Sequence, residues 1–278
     1  MNKLTSADRA QIVACLVEGN SIRATVRMTG ASKNTIAKLL RDLGAACSEY
    51  QDKAFRNLNC KRIQSDEIWS FVGAKEKYAS PEQKSAGCGD AWTWVALDPE
   101  SKLIPCWMVG PRDAGTAYHF MHDLRPRLTR RVQLTTDGLR AYLQATEDAF
   151  GADVDFAQLV KIYGNSVGPN LPAEVRYSPA QCMGARKTVI SGQPEMKHVS
   201  TSHIERQNLT MRMSMRRFTR LTNGFSKKLE QHENALALHF MYYNFCRIHQ
   251  TLRVTPAMEA GISDHVWDLK EIIGLLSN

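Results

Sequence analysis

Two rhythms of apolar residues divide the chain. Over residues 5–43 apolar side chains recur every three or four positions, the helical period. From Cys60 onward, short runs rich in Ile, Val, Trp and Phe read as strands. The first stretch predicts three short helices. Thr5 or Ser6 caps the first, which turns Ile12 and Leu16 to one side and ends at Gly19-Asn20. Ser21 caps a second helix through Met28, Gly30 supplies a turn, and Ser32 caps a third, KNTIAKLLRDL, which Gly44 stops. In that third helix Ile36, Leu39, Leu40 and Leu43 face inward, leaving Lys33, Asn34, Lys38 and Arg41 on the outside.

The second rhythm opens with KRIQSDEIWSFVG, a strand bounded by Gly73, followed by a charged, helix-poor insertion over 73–90. DAWTWVALD and KLIPCWMVG read as two further strands with PES as their hairpin turn. A helix is predicted over 114–128, a fourth strand in VQLTTDG, a helix over 139–150 and a strand over 155–162. Residues 164–198, loaded with Gly, Pro and Asn, read as irregular. One long helix then runs from about Ser200 to Arg220, with Ile204, Met211, Met215 and Phe218 on one stripe. A last helix over 226–247 is apolar around much of its circumference; it either packs on the core or forms an oligomer contact. A strand meander followed by alternating helices and strands predicts a mixed α/β sheet with helices on its faces.

The length of 278 residues fits one large unit with a small appendage. Apolar residues at 43% are enough for a packed core. Thirty-six Lys and Arg against 28 Asp and Glu give a net charge of +8, which favours a polyanionic partner without naming one. The opening MNKLTSADRA lacks the apolar stretch of a signal peptide, and no apolar run is long enough for a bilayer, so no membrane partner is expected. The 7 cysteines are scattered and never form a CxxC, which points to free thiols in a reducing compartment. His119 and His122 read as surface histidines of a helix, not a metal pair.

Helix, glycine turn, then a helix with a basic outer face is the helix-turn-helix arrangement, in which Lys33 and Asn34 would lie nearest base edges and phosphates. The same pattern also describes a plain three-helix bundle with a solvated face. Farther on, three acids occupy positions that can converge: Asp66 within a strand, Asp137 at the end of a later one, and Glu205 in the first turns of the long helix. An acid inside an apolar strand is costly to bury, and carboxylates without His or Cys partners suit magnesium or manganese rather than zinc. Glu205, Arg212 and Arg216 line one stripe of the predicted helix. From Arg206 to Lys228 the basic residues 206, 212, 216, 217, 220, 227 and 228 are interrupted by no acid, a track suited to a phosphate backbone.

The segments SDEIWSFV, LTTDGLRAY and HIERQNLTMRMSMRRFTR resemble the acid-bearing motifs of DDE transposases, most closely the insertion sequence 1 (IS-one) type. The resemblance runs from about residue 60 to about 262 and includes the tail YNFCRIHQTLRVTPAMEAG. It implies an α/β chain with an RNase H-like (retroviral-integrase-like) mixed-sheet catalytic domain preceded by a small all-α helix-turn-helix domain. The expected organisation is 1–45 helix-turn-helix, 46–59 linker, 60–225 catalytic domain and 226–278 a helical extension packing on it. Carried over by position, Asp66, Asp137 and Glu205 are the catalytic and metal-holding triad, and Arg212 is the basic residue of the third motif. The implied cofactors are two divalent cations, Mg2+ or Mn2+. The implied partners are double-stranded DNA, both transposon terminal inverted repeats and target, and a second or further copy of the chain. The implied setting is the bacterial cytoplasm, in association with the nucleoid. Lys33, Asn34, Lys38, Arg41, Arg206, Arg212, Arg216, Arg217, Arg220, Lys227 and Lys228 are the candidate DNA contacts. Some relatives carry a cysteine zinc module before the helix-turn-helix; this chain has no such cysteine spacing.

Each acid also has an ordinary structural reading. Strand alternation sends Asp66 and Glu67 to opposite faces, and the family motif selects Asp66. Asp137-Gly138 suits a strand-ending turn, Glu205 suits a helix dipole, Asp98 reads as a turn residue, and His203 faces either the site or solvent. Two other function classes stay open: a catalytically silent, domesticated DNA-binding regulator, and an RNase H-like nuclease without strand transfer.

Overall fold

Each of the three N-terminal helices begins on a side chain that accepts from its own first turn. The computed structural model describes residues 4–164, 182–219 and 223–277. Thr5, rather than Ser6, caps α1 (Ser6–Val17) in a reciprocal box with Asp8. Ser21 caps α2 (Ile22–Thr29), which ends on Gly30 at φ 71°. Ser32 caps α3 (Lys33–Ala54). The expected stop at Gly44 does not occur, and residues 46–54 of the expected linker are helix. Gly44 is buried where α3 crosses α8 (Leu229–Met241), and a Cβ there would lie 2.5 Å from the Asn234 Cβ. The glycine serves a close helix crossing, not a helix end.

Among the described residues, six strands form one mixed sheet in the order β3-β2-β1-β4-β5-β6. They are β1 (Arg62–Val72), β2 (Gly89–Leu97), β3 (Cys106–Gly110), β4 (Val132–Thr136), β5 (Val154–Tyr163) and β6 (Cys182–Ser191). Strands β1, β2 and β3 make an antiparallel meander, β4 and β5 continue parallel to β1, and β6 returns antiparallel. Within the stretch read as irregular, β6 is the missed strand. Its side chains are nearly all exposed, so no apolar alternation marks it; only the ladder to β5 defines it. Residues 165–181 of that stretch lie outside the described residues. Strand β3 starts later than expected. Lys102 has φ 62° and Pro105 lacks an N–H, while the Ile104 backbone is satisfied by the Asn244 amide from α8's continuation. The insertion over 73–90 contains a short helix, α4 (Pro81–Ser85), before β2 begins.

Helices cover both faces, so the central strand β1 is buried along most of its length rather than alternately. On one face α5 (Ala114–Leu124) and α6 (Ala141–Phe150) pack on Trp94, whose ring lies 6.0 Å from Phe120 and 5.3 Å from Tyr142. On the other face lie α7 (Ser202–Ser214) and α8. Gln64 of β1 accepts from the His203 and Ile204 N–H groups at the start of α7, both at 3.1 Å. Ser70 meets His232, and Trp107 packs on Phe240. The helix expected to reach Arg220 stops at Ser214, where Met215 turns extended, so Arg216 leaves the stripe shared with Glu205 and Arg212. After α8 comes a π-helical turn (Tyr242–Cys246), then α9 (Pro256–Glu259) and α10 (Leu269–Gly274).

One buried cluster runs from Ile12 to Ile273. Tyr50 and Phe55 of α3's end pack with Phe245 and Trp267, and Arg127 bonds Asp52 at 2.7 Å. The front helices and the sheet are thus joined through α3 and α8. The cysteines are free thiols, and no helix among the described residues is long and apolar enough to cross a membrane.

Candidate active site

Strand register brings two of the expected acids side by side. Strands β1 and β4 run parallel with Ser65 opposite Thr136, where β4 ends, so the next residues along each chain are Asp66 and Asp137. Alternation still turns Asp66 toward α7 and Glu67 toward α5 and α6. Because β4 has stopped, Asp137 stands at the open end between the two faces. One carboxylate oxygen from each of Asp66, Glu67 and Asp137 lies within 4.8 Å of the other two.

Each of the three is held differently. Asp66 accepts from its neighbour's backbone, Glu67 N, and from the Asn208 Nδ2 on α7, both at 2.9 Å. Burial, then the charges of Glu67 and Asp137 and more weakly Glu205, push its carboxyl up to about 7 against the pull of the Glu67 N–H. Glu67 has a side chain only 1% exposed and accepts from Arg112 Nε at 2.9 Å. Burial pushes its carboxyl up, partly offset by the Tyr142 hydroxyl and by Arg112, while Asp137 adds to the rise. Asp137 uses Oδ1 for the turn, accepting from Leu139 N at 2.8 Å, and Oδ2 for Arg112 Nη2 at 3.3 Å. The turn-forming role and the clustered position therefore coexist in one side chain.

Glu205 is outside the three-acid group. It accepts from Thr201 Oγ1 at 2.6 Å and is ion-paired with Lys161 of β5. It nevertheless lies one turn ahead of Asn208, the residue that holds Asp66, and its charge acts on Asp66. Asp98 is a turn residue, accepting from Glu100 N and Ser101 Oγ. The His203 ring sits beside Lys102, 3.4 Å from its Nζ.

The candidate DNA contacts divide by environment. Lys33, Asn34, Lys38 and Arg41 are exposed on α3, with Lys38 ion-paired to Asp42 and Arg41 3.8 Å from it. Arg206, Arg216, Lys227 and Lys228 are exposed, and the Lys227 ammonium lies 3.5 Å from the Phe225 ring centroid. Arg212 is half-buried in the last turn of α7. Arg217 turns inward to Ser226 Oγ and the Gln231 carbonyl, and burial pulls its pKa down to about 10. These bonds hold the partly exposed Arg217 against the start of α8. Arg220 lies outside the described residues.

Sequence reasoning passed over Glu67 and Arg112. Alternation set Glu67 aside because it faces away from Asp66 along the strand, which does not matter once the neighbouring strand has ended. Arg112 sits between β3 and α5 and belongs to no motif. The available signal was a buried-strand carboxylate that needs a cation somewhere in the chain.

No protein-family model matches this chain, and no curated protein matches it. Among solved structures it is similar to a piggyBac transposase in a synaptic complex with hairpin DNA, determined by cryo-electron microscopy. The TM-score is 0.44 and the identity 11%, over 99% of this chain and 72% of that one.

Proposed function

We propose that this chain is a DNA transposase that cuts phosphodiester bonds at the ends of an insertion sequence and joins the released 3′-hydroxyl to target DNA. The observation that carries this reading is the β1–β4 register, which sets Asp66, within β1, beside Asp137, just past the carboxyl end of β4, while Glu205 on α7 acts on Asp66 through its charge. A five-strand order of 3-2-1-4-5 with the first three antiparallel supports an RNase H-like core, and the capped α2-turn-α3 unit with exposed Lys33 and Asn34 supports a helix-turn-helix.

Divalent cations fit the donor set. Asp66, Asp137 and Glu205 would hold two ions, Mg2+ or Mn2+, through hard carboxylate oxygens. Burial first, and then the neighbouring carboxylates, push Asp66 up, a penalty that a cation would relieve. When bound, such ions supply Lewis acidity and a water of lowered pKa. The chain's own residues do the positioning: Asn208 orients Asp66, the Leu139 N–H orients Asp137, and Thr201 with Lys161 restrains Glu205. Exposed Arg206, Arg216, Lys227 and Lys228 would hold the phosphate backbone without reading sequence. Cutting and joining two ends calls for at least two copies of the chain on DNA.

The test uses Asp137→Asn with supercoiled plasmid and labelled end oligonucleotides in Mn2+. DNA binding is expected to persist while cleavage falls by about 100-fold or more. Cleavage by the wild-type chain that never yields joined product would favour a plain nuclease. Binding with no cation-dependent cleavage at all would favour a silent DNA-binding regulator.

A further inference from the structure

Arg112 joins the two halves of the acidic cluster in an uneven way. Its Nε bonds Glu67 at 2.9 Å, a normal charge-assisted length, whereas its Nη2 reaches Asp137 only at 3.3 Å. The guanidinium lies against the Trp92 ring, 5.0 Å from its centroid. Exposure is uneven too: the Arg112 side chain is 37% exposed and its Glu67 partner 1%. A carboxylate buried among Trp94, Tyr142 and the sheet is expensive. What it accomplishes is to fix the inner edge of a guanidinium whose outer edge stands at the mouth of the cluster. Among the described residues, Arg112 donates only those two hydrogen bonds, so its remaining N–H groups are open to a ligand in front of Asp137. A planar fork anchored on Glu67 through Nε, held only loosely on Asp137 through Nη2, and with further N–H groups to donate is suited to a phosphate oxygen.

We infer that Arg112 is a phosphate-contacting residue of this site, oriented by Glu67 and resting on Asp137 when no nucleic acid is present. The inference rests on the proposed function for the identity of the ligand, a DNA phosphate. Glu67 is then a positioning residue, and the long contact to Asp137 is the one that yields when the phosphate arrives.

The competing explanation is that Arg112 merely neutralises Glu67. A paired replacement separates the two. Arg112→Gln alone strands a buried carboxylate and is expected to lower the melting temperature, while Glu67→Gln combined with Arg112→Gln removes both charges and is expected to restore it. With a random-sequence 30-base-pair duplex (about three helical turns) in Ca2+, binding is measured over a range of salt concentrations. The paired variant is expected to lose about 0.9 from the slope of log affinity against log salt, one phosphate contact. In Mn2+ its cleavage is expected to fall by about 100-fold.

Wild-type slope and cleavage in the refolded pair would overturn the inference while leaving the proposed function intact. If the wild-type chain never cleaves, the proposed function fails. The salt slope still decides whether Arg112 touches phosphate. If the pair does not fold, Arg112→Lys keeps a cation on Glu67 but loses the fork. Cleavage reduced by about 10-fold or more supports the inference, and a wild-type rate overturns it.

Discussion

Ionising Asp66 costs free energy in the cation-free protein, because the group is buried and two other carboxylates stand within 4.8 Å. Its pKa rises from the usual 3.8 to about 7 on folding. Between those values the folded chain binds more protons than the unfolded one, so stability falls as pH rises from about 4 to about 7 and levels off above. The penalty is on the order of a few kcal/mol at pH 8. Asp66→Asn removes it. In EDTA, the variant is expected to melt above the wild-type chain at pH 8, with the gap closing toward pH 4. Adding Mn2+ is expected to raise the wild-type melting temperature and to leave the variant nearly unmoved. A gap that widens toward acid pH would contradict the assignment. Two chemically different holds meet at this point: Asp66 is oriented by an amide, Asn208, and Asp137 by a backbone N–H, so neither orientation depends on the cation.

Among the elements, α3 connects the front of the chain to the rest. Its N-terminal turn carries Lys33 and Asn34 in solvent, while its second half is packed along α8 and bonds the Ala237 carbonyl through Gln51. The crossing is close because Gly44 has no side chain. In an exposed helix interior Gly→Ala would stabilise by about 1 kcal/mol. Here the added methyl would lie 2.5 Å from Asn234 Cβ and 2.6 Å from its Cα, contacts with no flexible end to move. Gly44→Ala is therefore expected to destabilise by about 1–3 kcal/mol, measured by urea unfolding. An increase in stability would mean that α3 and α8 do not cross as described. The helix ends at the site obey similar local logic: Gln64 on β1 caps α7 through two N–H groups, which ties the helix bearing Glu205 and Asn208 to the strand bearing Asp66.

Across the described residues, one buried cluster runs from Ile12 to Ile273 and takes in side chains of both the front helices and the sheet. Trp69, Trp92, Trp94 and Trp107 report on the sheet, and Trp267 reports on the junction with Tyr50 of α3. Helical circular dichroism and tryptophan fluorescence are expected to trace one coincident unfolding transition. An earlier loss of helix signal would mean that the front helices unfold as a separate unit. The same continuity bears on the proposed DNA binding: the candidate basic residues on α3 and those at 206, 216, 227 and 228 belong to elements of one packed body, so their relative placement is part of the fold.

How much of this was legible in the chain depends on the range of the forces involved. The three front helices were readable because caps and periodicity act within a turn: Thr5, Ser21, Ser32 and Gly30 do locally what their chemistry favours. The strands of the meander, and the candidacy of Asp66, Asp137 and Glu205, were readable from composition and motif. Gly44 reads as a helix stop and sits at a helix crossing instead, since a glycine that ends a helix and one that admits a neighbouring helix look alike until the neighbour is known. Strand β6 gave no apolar pattern because it buries almost nothing and is held by backbone bonds to β5. The Arg217 contacts to Ser226 and Gln231 were not readable, because they depend on the backbone turning extended at Met215, past the end of α7. Glu67 with Arg112 was decided only by tertiary structure. Their pairing needs β4 to end at Thr136 and a residue 45 positions away in the chain to arrive at that gap, and no local rule encodes a meeting between segments so far apart.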